Sequence, residues 1–193
     1  MNILLWHVHG SWTTAFVQGG HRYLVPVTPD RDADGRGRAR TWSWPSTVVE
    51  RTPQQLASET IDLVILQRTR DEELLETWLG PRSRSIPKVF LEHNAPQGEV
   101  NKMRHPAADR DDLLLVHVTH TNALFWDAGT TPTFVIEHGI IDPGHRYVGD
   151  LPHIAVVVNE PRRRGRVVGA DLIPWLAAIA PVDVFGMGVD GLS

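Results

Sequence analysis

The feature that most constrains the fold is a repeated pattern of short apolar runs, each followed by a polar turn. The clearest case lies in residues 113–144, LLLVHVTHTNALFWDAGTTPTFVIEHGIIDPG. Residues 113–118 predict a strand buried on both faces, and residues 133–136 predict a second strand. Thr119 and Thr121 can cap a short helix between the two strands. A strand, a helix and a strand in this order predict a parallel pair whose carboxyl end carries a ligand-binding turn.

The same alternation covers most of the remaining chain. Further strands are predicted at residues 2–8, 21–27, 61–67 and 87–91. Helices are predicted at residues 13–18, directly after Thr52, and at residues 71–79. Strands that alternate with helices predict an α/β fold, with a Rossmann-like doubly wound parallel sheet.

Two segments interrupt this alternation. Residues 31–40, RDADGRGRAR, are polar and glycine-punctuated and contain no apolar anchor. We therefore expect a solvent-exposed and poorly ordered loop there. Residues 41–45, TWSWP, predict a strand at the edge of the sheet.

A domain boundary is predicted within residues 142–152, which are rich in glycine, proline and charge. Residues 1–150 would form an N-terminal Rossmann-like domain, and residues 151–193 would begin a second one. The second unit is predicted to contain a strand at 153–158, a basic turn at 159–166, a helix at 170–180 and a strand at 182–185. One strand–helix–strand unit cannot cover its own apolar faces. We therefore expect this domain to be incomplete and the chain to be the front part of a longer protein.

Composition narrows the class of protein. The formal net charge of -4 gives no general reason to expect a nucleic-acid partner. The chain has no cysteine, which excludes disulfides and thiolate chemistry and fits a cytoplasmic location. No apolar run approaches the ~20 residues that a membrane span requires. The first residues, MNILLWHVHG, lack the basic leader of a signal peptide.

Histidines follow the first predicted strand. Alternation along a strand would place His7 and His9 on one face, where two imidazoles could share a metal ion. The alternative is that His7 packs against the protein while His9 lines the turn. In that turn, backbone N–H groups near His9, Gly10 and Ser11 could face an anion, or the residues could form a simple tight turn.

A second polar cluster follows the strand at residues 87–91. Glu92, His93 and Asn94 are costly to bury without partners, so we expect them in an exposed cleft at the carboxyl end of a central strand. We also expect them to lie beside Gly10 and Ser11, because the carboxyl ends of parallel strands share one edge. The alternative is a capped turn in which Asn94 bonds its own backbone.

The end of the long stretch resembles a known family. Residues 135–144 read VIEHGIIDPG, and the two-Rossmann-domain (GT-B) glycosyltransferases of the group 1, or family 4-like, type commonly close the corresponding strand in Ile-Pro-Asn-Gly-Val-Asp. Glu137 and His138 stand where the family has Pro and Asn. The similarity of pattern extends over the whole chain, from the first strand to the start of a second Rossmann-like unit.

This resemblance implies an activity and a set of site residues. It implies transfer of a sugar from a nucleotide-sugar donor to a hydroxyl acceptor, with retained configuration and without a cofactor or an essential metal. His93 would be the catalytic residue beside the transferred sugar. The implied substrate-binding residues are His9, Gly10, Ser11, Asn94, Glu137, His138 and Gly139. Arg164 and Arg166 would hold the donor diphosphate.

Departures from the family pattern keep other functions open. The first loop has one glycine where the family has two, and the basic turn has no lysine. The family's acidic pair would lie beyond Ser193, so we expect this part of the chain to be inactive alone. A non-catalytic Rossmann-like module that binds a nucleotide or a protein partner is the main alternative. A metal-dependent hydrolase built on His7 and His9 is a weaker one.

Overall fold

A computed structural model describes residues 1–191 of the chain, apart from the side chain of Val100. The chain forms two compact units, Met1–Asp142 and Pro143–Ser193. Residues 142–152, the predicted boundary segment, contain no helix or strand.

The first unit is built on a sheet of seven parallel strands. In chain order these are β1 (Asn2–Leu5), β2 (Arg22–Pro26), β3 (Val48–Arg51), β4 (Leu63–Leu66), β5 (Lys88–Glu92), β6 (Leu113–His117) and β7 (Thr133–Val135). Their order across the sheet is β3-β2-β1-β4-β5-β6-β7, so the chain reverses its direction of winding after β3. The predicted α/β, Rossmann-like fold class is confirmed. Because every neighbouring pair is parallel, all seven strands end at one edge, which we call the carboxyl edge.

Four α-helices connect the strands of this unit: α1 (Gly10–Phe16), α2 (Pro53–Leu56), α3 (Thr69–Leu79) and α4 (His120–Phe125). Short 3-10 segments occur at Gly80–Ser85 and Val100–Lys102. Local sequence explains where two of the helices begin. Thr52 accepts a hydrogen bond from the Gln55 N–H in a reciprocal capping box before α2, and Thr119 caps α4 by accepting one from the Asn122 N–H.

The core lies on both faces of the sheet because successive strand residues point to opposite faces. One apolar cluster buries α3 against the sheet and includes Leu4, Leu66, Leu75, Leu79 and Leu115. The second occupies the opposite face next to α1 and includes Leu5, Trp12, Val17, Ile65 and Val116. Complete burial of each such side chain stabilises the fold by about 1.5–3 kcal/mol. This packing fixes the strand ends from which the polar turns project.

The predicted edge strand at residues 41–45 was wrong. The edge position belongs to β3, which pairs with β2 from Tyr23 opposite Val48 to Pro26 opposite Arg51. Trp44 instead packs its indole into the core and donates a hydrogen bond from Nε1 to Thr14 Oγ1 at 2.8 Å. The apolar character of residues 41–45 thus reflects burial of the Trp44 side chain and not the pairing of a strand.

The loop at residues 31–40 is partly exposed, as predicted, but the expectation of poor order was wrong, because the loop is held by many hydrogen bonds. Arg31 forms a two-pronged ion pair with Glu50 at 2.8 and 2.9 Å. The Arg38 guanidinium donates to the backbone carbonyls of Trp44, Pro45 and Val48. These polar contacts to the residues around β3 replace the apolar anchor that the segment lacks.

The second unit contains two parallel strands joined by helical segments. They are β8 (Ile154–Val157), α5 (Pro161–Arg164), α6 (Ile173–Ala177) and β9 (Val182–Phe185), with 3-10 segments at Gly165–Val168 and Ala170–Leu172. The predicted basic turn is therefore largely helical, because Pro161 starts a helical turn at its first position. The predicted helix at 170–180 is a shorter α-helix preceded by a 3-10 turn.

Candidate functional site

Three polar turns at the carboxyl edge of the sheet contain most of the predicted site residues. His9 and Gly10 follow β1, His93 follows β5, and Glu137 follows β7. The strand order places β4 between β1 and β5, yet their turns come into contact through their side chains. The prediction that the two turns lie together at one edge is confirmed.

The centre of this edge is a pair of stacked imidazoles. The ring centroids of His9 and His93 are 3.8 Å apart, with an angle of 34° between the ring planes. Trp12, on the first turn of α1, meets His93 edge to face at 5.5 Å. Residues 84 positions apart in sequence are thus joined into one aromatic cluster, which we call the histidine cluster (His9, Trp12 and His93).

The histidine cluster favours neutral imidazoles. Burial, reinforced by the nearby His9, lowers the pKa of His93 from 6.5 to about 3. Burial likewise lowers the pKa of His9, although the charge of Glu92 opposes the shift. The Nε2 atom of His93 is buried and has no hydrogen-bond partner among the described residues. A buried polar atom without a partner is destabilising, so His93 Nε2 is available to a ligand as a donor or an acceptor.

The turn that carries His93 is held rigidly by the chain around it. Asn122, at the start of α4, donates from Nδ2 to the His93 carbonyl at 2.9 Å. Trp126 donates from Nε1 to the Asn94 carbonyl at 2.7 Å. The Asn94 backbone N–H donates to Glu92 Oε1 at 2.6 Å, so it is the glutamate side chain that closes this turn. The Asn94 side chain is exposed at the edge of the sheet.

Two buried histidines near this turn, His105 and His117, were not identified from the sequence. His105 Nδ1 accepts the Ala107 N–H at 3.0 Å, so its proton lies on Nε2, which donates to Glu92 Oε2 at 3.1 Å. Burial alone would raise the pKa of Glu92, but the hydrogen bonds from His105 and the Asn94 N–H prevail and lower it. His117, the last residue of β6, is also buried, and burial lowers its pKa. Glu92 is therefore a buried carboxylate that supports the turn.

The side chains of His7 and His9 have different partners and do not form a pair that could share a metal ion. His7 Nδ1 lies 3.1 Å from the Gly37 carbonyl, and its ring contacts Trp44 at 4.8 Å. His9 instead stacks on His93. Within residues 1–191, no group of three or more His, Cys, Asp or Glu side chains has the arrangement of a metal site.

Gly10 and Ser11 begin α1, and the Ser11 side chain is exposed. A Cβ atom on Gly10 would lie 3.7 Å from His7 Nε2, an ordinary contact, so the local backbone does not demand a glycine. Thr13 Oγ1 donates to the His9 carbonyl at 2.9 Å and ties α1 to the turn before it. These two predicted residues thus directly follow His9 of the histidine cluster in the chain.

Glu137, His138 and Gly139 follow β7 on the same edge. Glu137 and Gly139 line a cavity of about 380 Å³ whose other walls are apolar and include Trp12. His138 is close enough to His9 and His93 that its charge lowers the pKa of both. The turn after β7 is thereby connected to the histidine cluster through electrostatics and through Trp12.

Arg164 and Arg166 lie in the second unit. Arg164 is the last residue of α5, and Arg166 lies in the following 3-10 turn, with Nε 3.7 Å from Asp171 Oδ2. Both side chains are exposed. Their guanidinium groups can therefore bind an anion from solvent.

Comparisons with known proteins do not identify a family for this chain. No protein-family model matches it, and neither a curated protein nor a solved structure resembles it at a significant level. Among the described residues, none of the helices combines the length and the apolar character of a membrane span.

Proposed function

We propose that this chain is the acceptor-side domain of a glycosyltransferase, followed by the start of its donor-side domain. The observation that carries the proposal is the buried, unpartnered Nε2 of His93 at the carboxyl edge of a seven-stranded parallel sheet. Ligands of such sheets bind outside the carboxyl ends of the strands. The β8–β9 unit, with exposed arginines after its first strand, supports the assignment of this unit to the nucleotide-sugar donor.

In this proposal His93 is a neutral hydrogen-bonding group against the transferred sugar. With its pKa lowered to about 3, the imidazole is uncharged near neutral pH and is a weak general base. A neutral imidazole can still donate to or accept from a sugar hydroxyl. The His9 ring stacks on the His93 ring, and Asn122 donates a hydrogen bond to the His93 carbonyl. The His93 ring is therefore oriented before a ligand binds.

The test is His93→Ala in the native protein. Consumption of nucleotide-sugar donors is measured with a panel of hydroxyl acceptors, together with the melting temperature. Loss of one transition-state hydrogen bond lowers kcat/KM by roughly ten- to a hundredfold. We expect that loss with little change in melting temperature.

His120→Ala is the matched control, because His120 is an exposed histidine at the same edge and should leave kcat/KM unchanged. Arg164→Ala and Arg166→Ala should raise the KM for the donor more than they lower kcat. Absence of donor consumption by the native protein would overturn the proposed activity. Normal turnover of His93→Ala with a lowered melting temperature would overturn the role of His93.

A further inference from the structure

Another cavity, which is polar, opens at the carboxyl edge, beside β1 and β2 rather than β5. It measures about 340 Å³, and it is lined by one acidic residue, Asp30, and by five basic residues: His7, Arg31, Arg36, Arg38 and Arg40. The chain as a whole carries a net charge of -4, so this concentration of arginines is a local feature. We call it the arginine cavity.

Two of its arginines are committed to the protein. Arg31 pairs with Glu50 through two hydrogen bonds, and Arg38 is held by backbone carbonyls, including that of Trp44 at 2.7 Å. Arg38 nevertheless keeps its positive charge, since carbonyl oxygens do not neutralise a guanidinium. These contacts build a rigid wall, which lowers the entropic cost of binding a ligand.

Two other arginines of the cavity, Arg36 and Arg40, are free to bind an anion. Neither the Arg36 nor the Arg40 guanidinium forms a hydrogen bond or an ion pair with any described residue. His7 donates from Nδ1 to the Gly37 carbonyl, and burial lowers its pKa, so Nε2 of the neutral ring carries a lone pair and has no proton to donate. Three arginines not paired with a carboxylate face the single carboxylate of Asp30, so the cavity is electropositive.

We propose that the arginine cavity binds the phosphoryl group of a small phosphorylated ligand. A phosphate dianion offers three terminal oxygens and nearly two charges, which match the several N–H donors and the two positive charges of Arg36 and Arg40. A carboxylate offers two oxygens and one charge, and would neutralise only one of these two guanidinium groups. This inference does not depend on glycosyl transfer.

The arginine cavity also lies close to the histidine cluster. His7 and His9 are two residues apart, so their Cα atoms are within about 7 Å of each other. A phosphorylated molecule held by its phosphoryl group in the cavity therefore has its remaining part within reach of His9. Inorganic phosphate has no such part, and the two sources can be distinguished by their affinities.

The proposal is tested by NMR titration of the protein with glucose 6-phosphate, inorganic phosphate, glucuronate and glucose. Concentrations up to ~10 mM reveal dissociation constants in the millimolar range or tighter. We expect glucose 6-phosphate to shift the amide signals of Gly35, Gly37 and Arg38, and to bind more tightly than glucuronate. Tighter binding of glucose 6-phosphate than of inorganic phosphate identifies an organic phosphate as the ligand, and equal binding identifies the free anion.

Arg36→Gln and Arg40→Gln are each expected to weaken glucose 6-phosphate binding by about tenfold, because each removes a charge-assisted contact. Arg84→Gln is the matched control, since it removes the same charge from an exposed arginine outside this cavity and should change affinity by less than about twofold. The proposal is overturned if glucose 6-phosphate does not bind, if glucuronate or glucose binds as tightly, or if Arg36→Gln and Arg40→Gln both bind like the wild type.

Discussion

Replacing His93 with phenylalanine removes one titrating imidazole while keeping an aromatic ring between His9 and Trp12. The pKa of His93 is about 3 in the folded protein, against the ordinary value of 6.5 in an unfolded chain. Between these two values the unfolded state binds a proton that the folded state does not. The free energy of unfolding therefore falls as the pH falls through this window.

The size of the effect follows from the same two values. One unit of pKa difference corresponds to about 1.4 kcal/mol, and the unfolded chain binds most of its proton between pH 7 and pH 5. Over that interval, the full difference in proton binding would lower the free energy of unfolding by about 2 kcal/mol. Solvent screening of the partly exposed ring reduces this change to about 1 kcal/mol. His93→Phe should abolish this part of the pH dependence.

The assay is urea unfolding followed by tryptophan fluorescence at pH 7 and pH 5. We expect the wild type to lose about 1 kcal/mol more stability than His93→Phe on acidification. His120→Gln, which replaces an exposed histidine, should behave like the wild type. Equal losses in the wild type and His93→Phe would refute the reasoning, as would an NMR titration of the His93 ring with a midpoint near 6.5.

Two further predictions concern the supports of the two sites. Glu92→Gln should reduce the free energy of unfolding by about 1–3 kcal/mol, because it removes the buried charged acceptor of His105. Glu76→Gln, at an exposed position, is the control and should have little effect. Equal urea midpoints of the two variants would contradict this prediction. Gly35→Ala should destabilise the protein by about 1–3 kcal/mol in the same assay, because the new Cβ would meet the backbone nitrogen of Thr28. Gly20→Ala, where a Cβ meets nothing within 4 Å, is its control, and similar stabilities of the two variants would show that the loop yields easily.

Much of the fold could be predicted because its elements are encoded locally. Short apolar runs located every strand of the sheet except β3, and Thr52 with Pro53 marked the start of α2. The type of fold followed because alternating strands and helices pack in few ways. Polar residues directly after strands also showed which turns would lie at the carboxyl edge.

Other features depend on contacts between residues far apart in sequence. His9 meets His93, and Glu92 meets His105, only because the strand order brings their turns together. No local pattern marks His105, which lies outside any helix or strand. Its role depends on which buried carboxylate it reaches.

The loop at residues 31–40 shows most clearly why such features cannot be predicted from the sequence. Its composition alone predicts disorder, because residues 31–40 have no apolar side chain large enough to anchor them. The tertiary structure supplies Glu50 for Arg31 and three carbonyls for Arg38. Apolar burial can be read from spacing along the chain, since it needs only the right face. A directional hydrogen bond needs a specific partner at a specific place, and only the folded chain provides one.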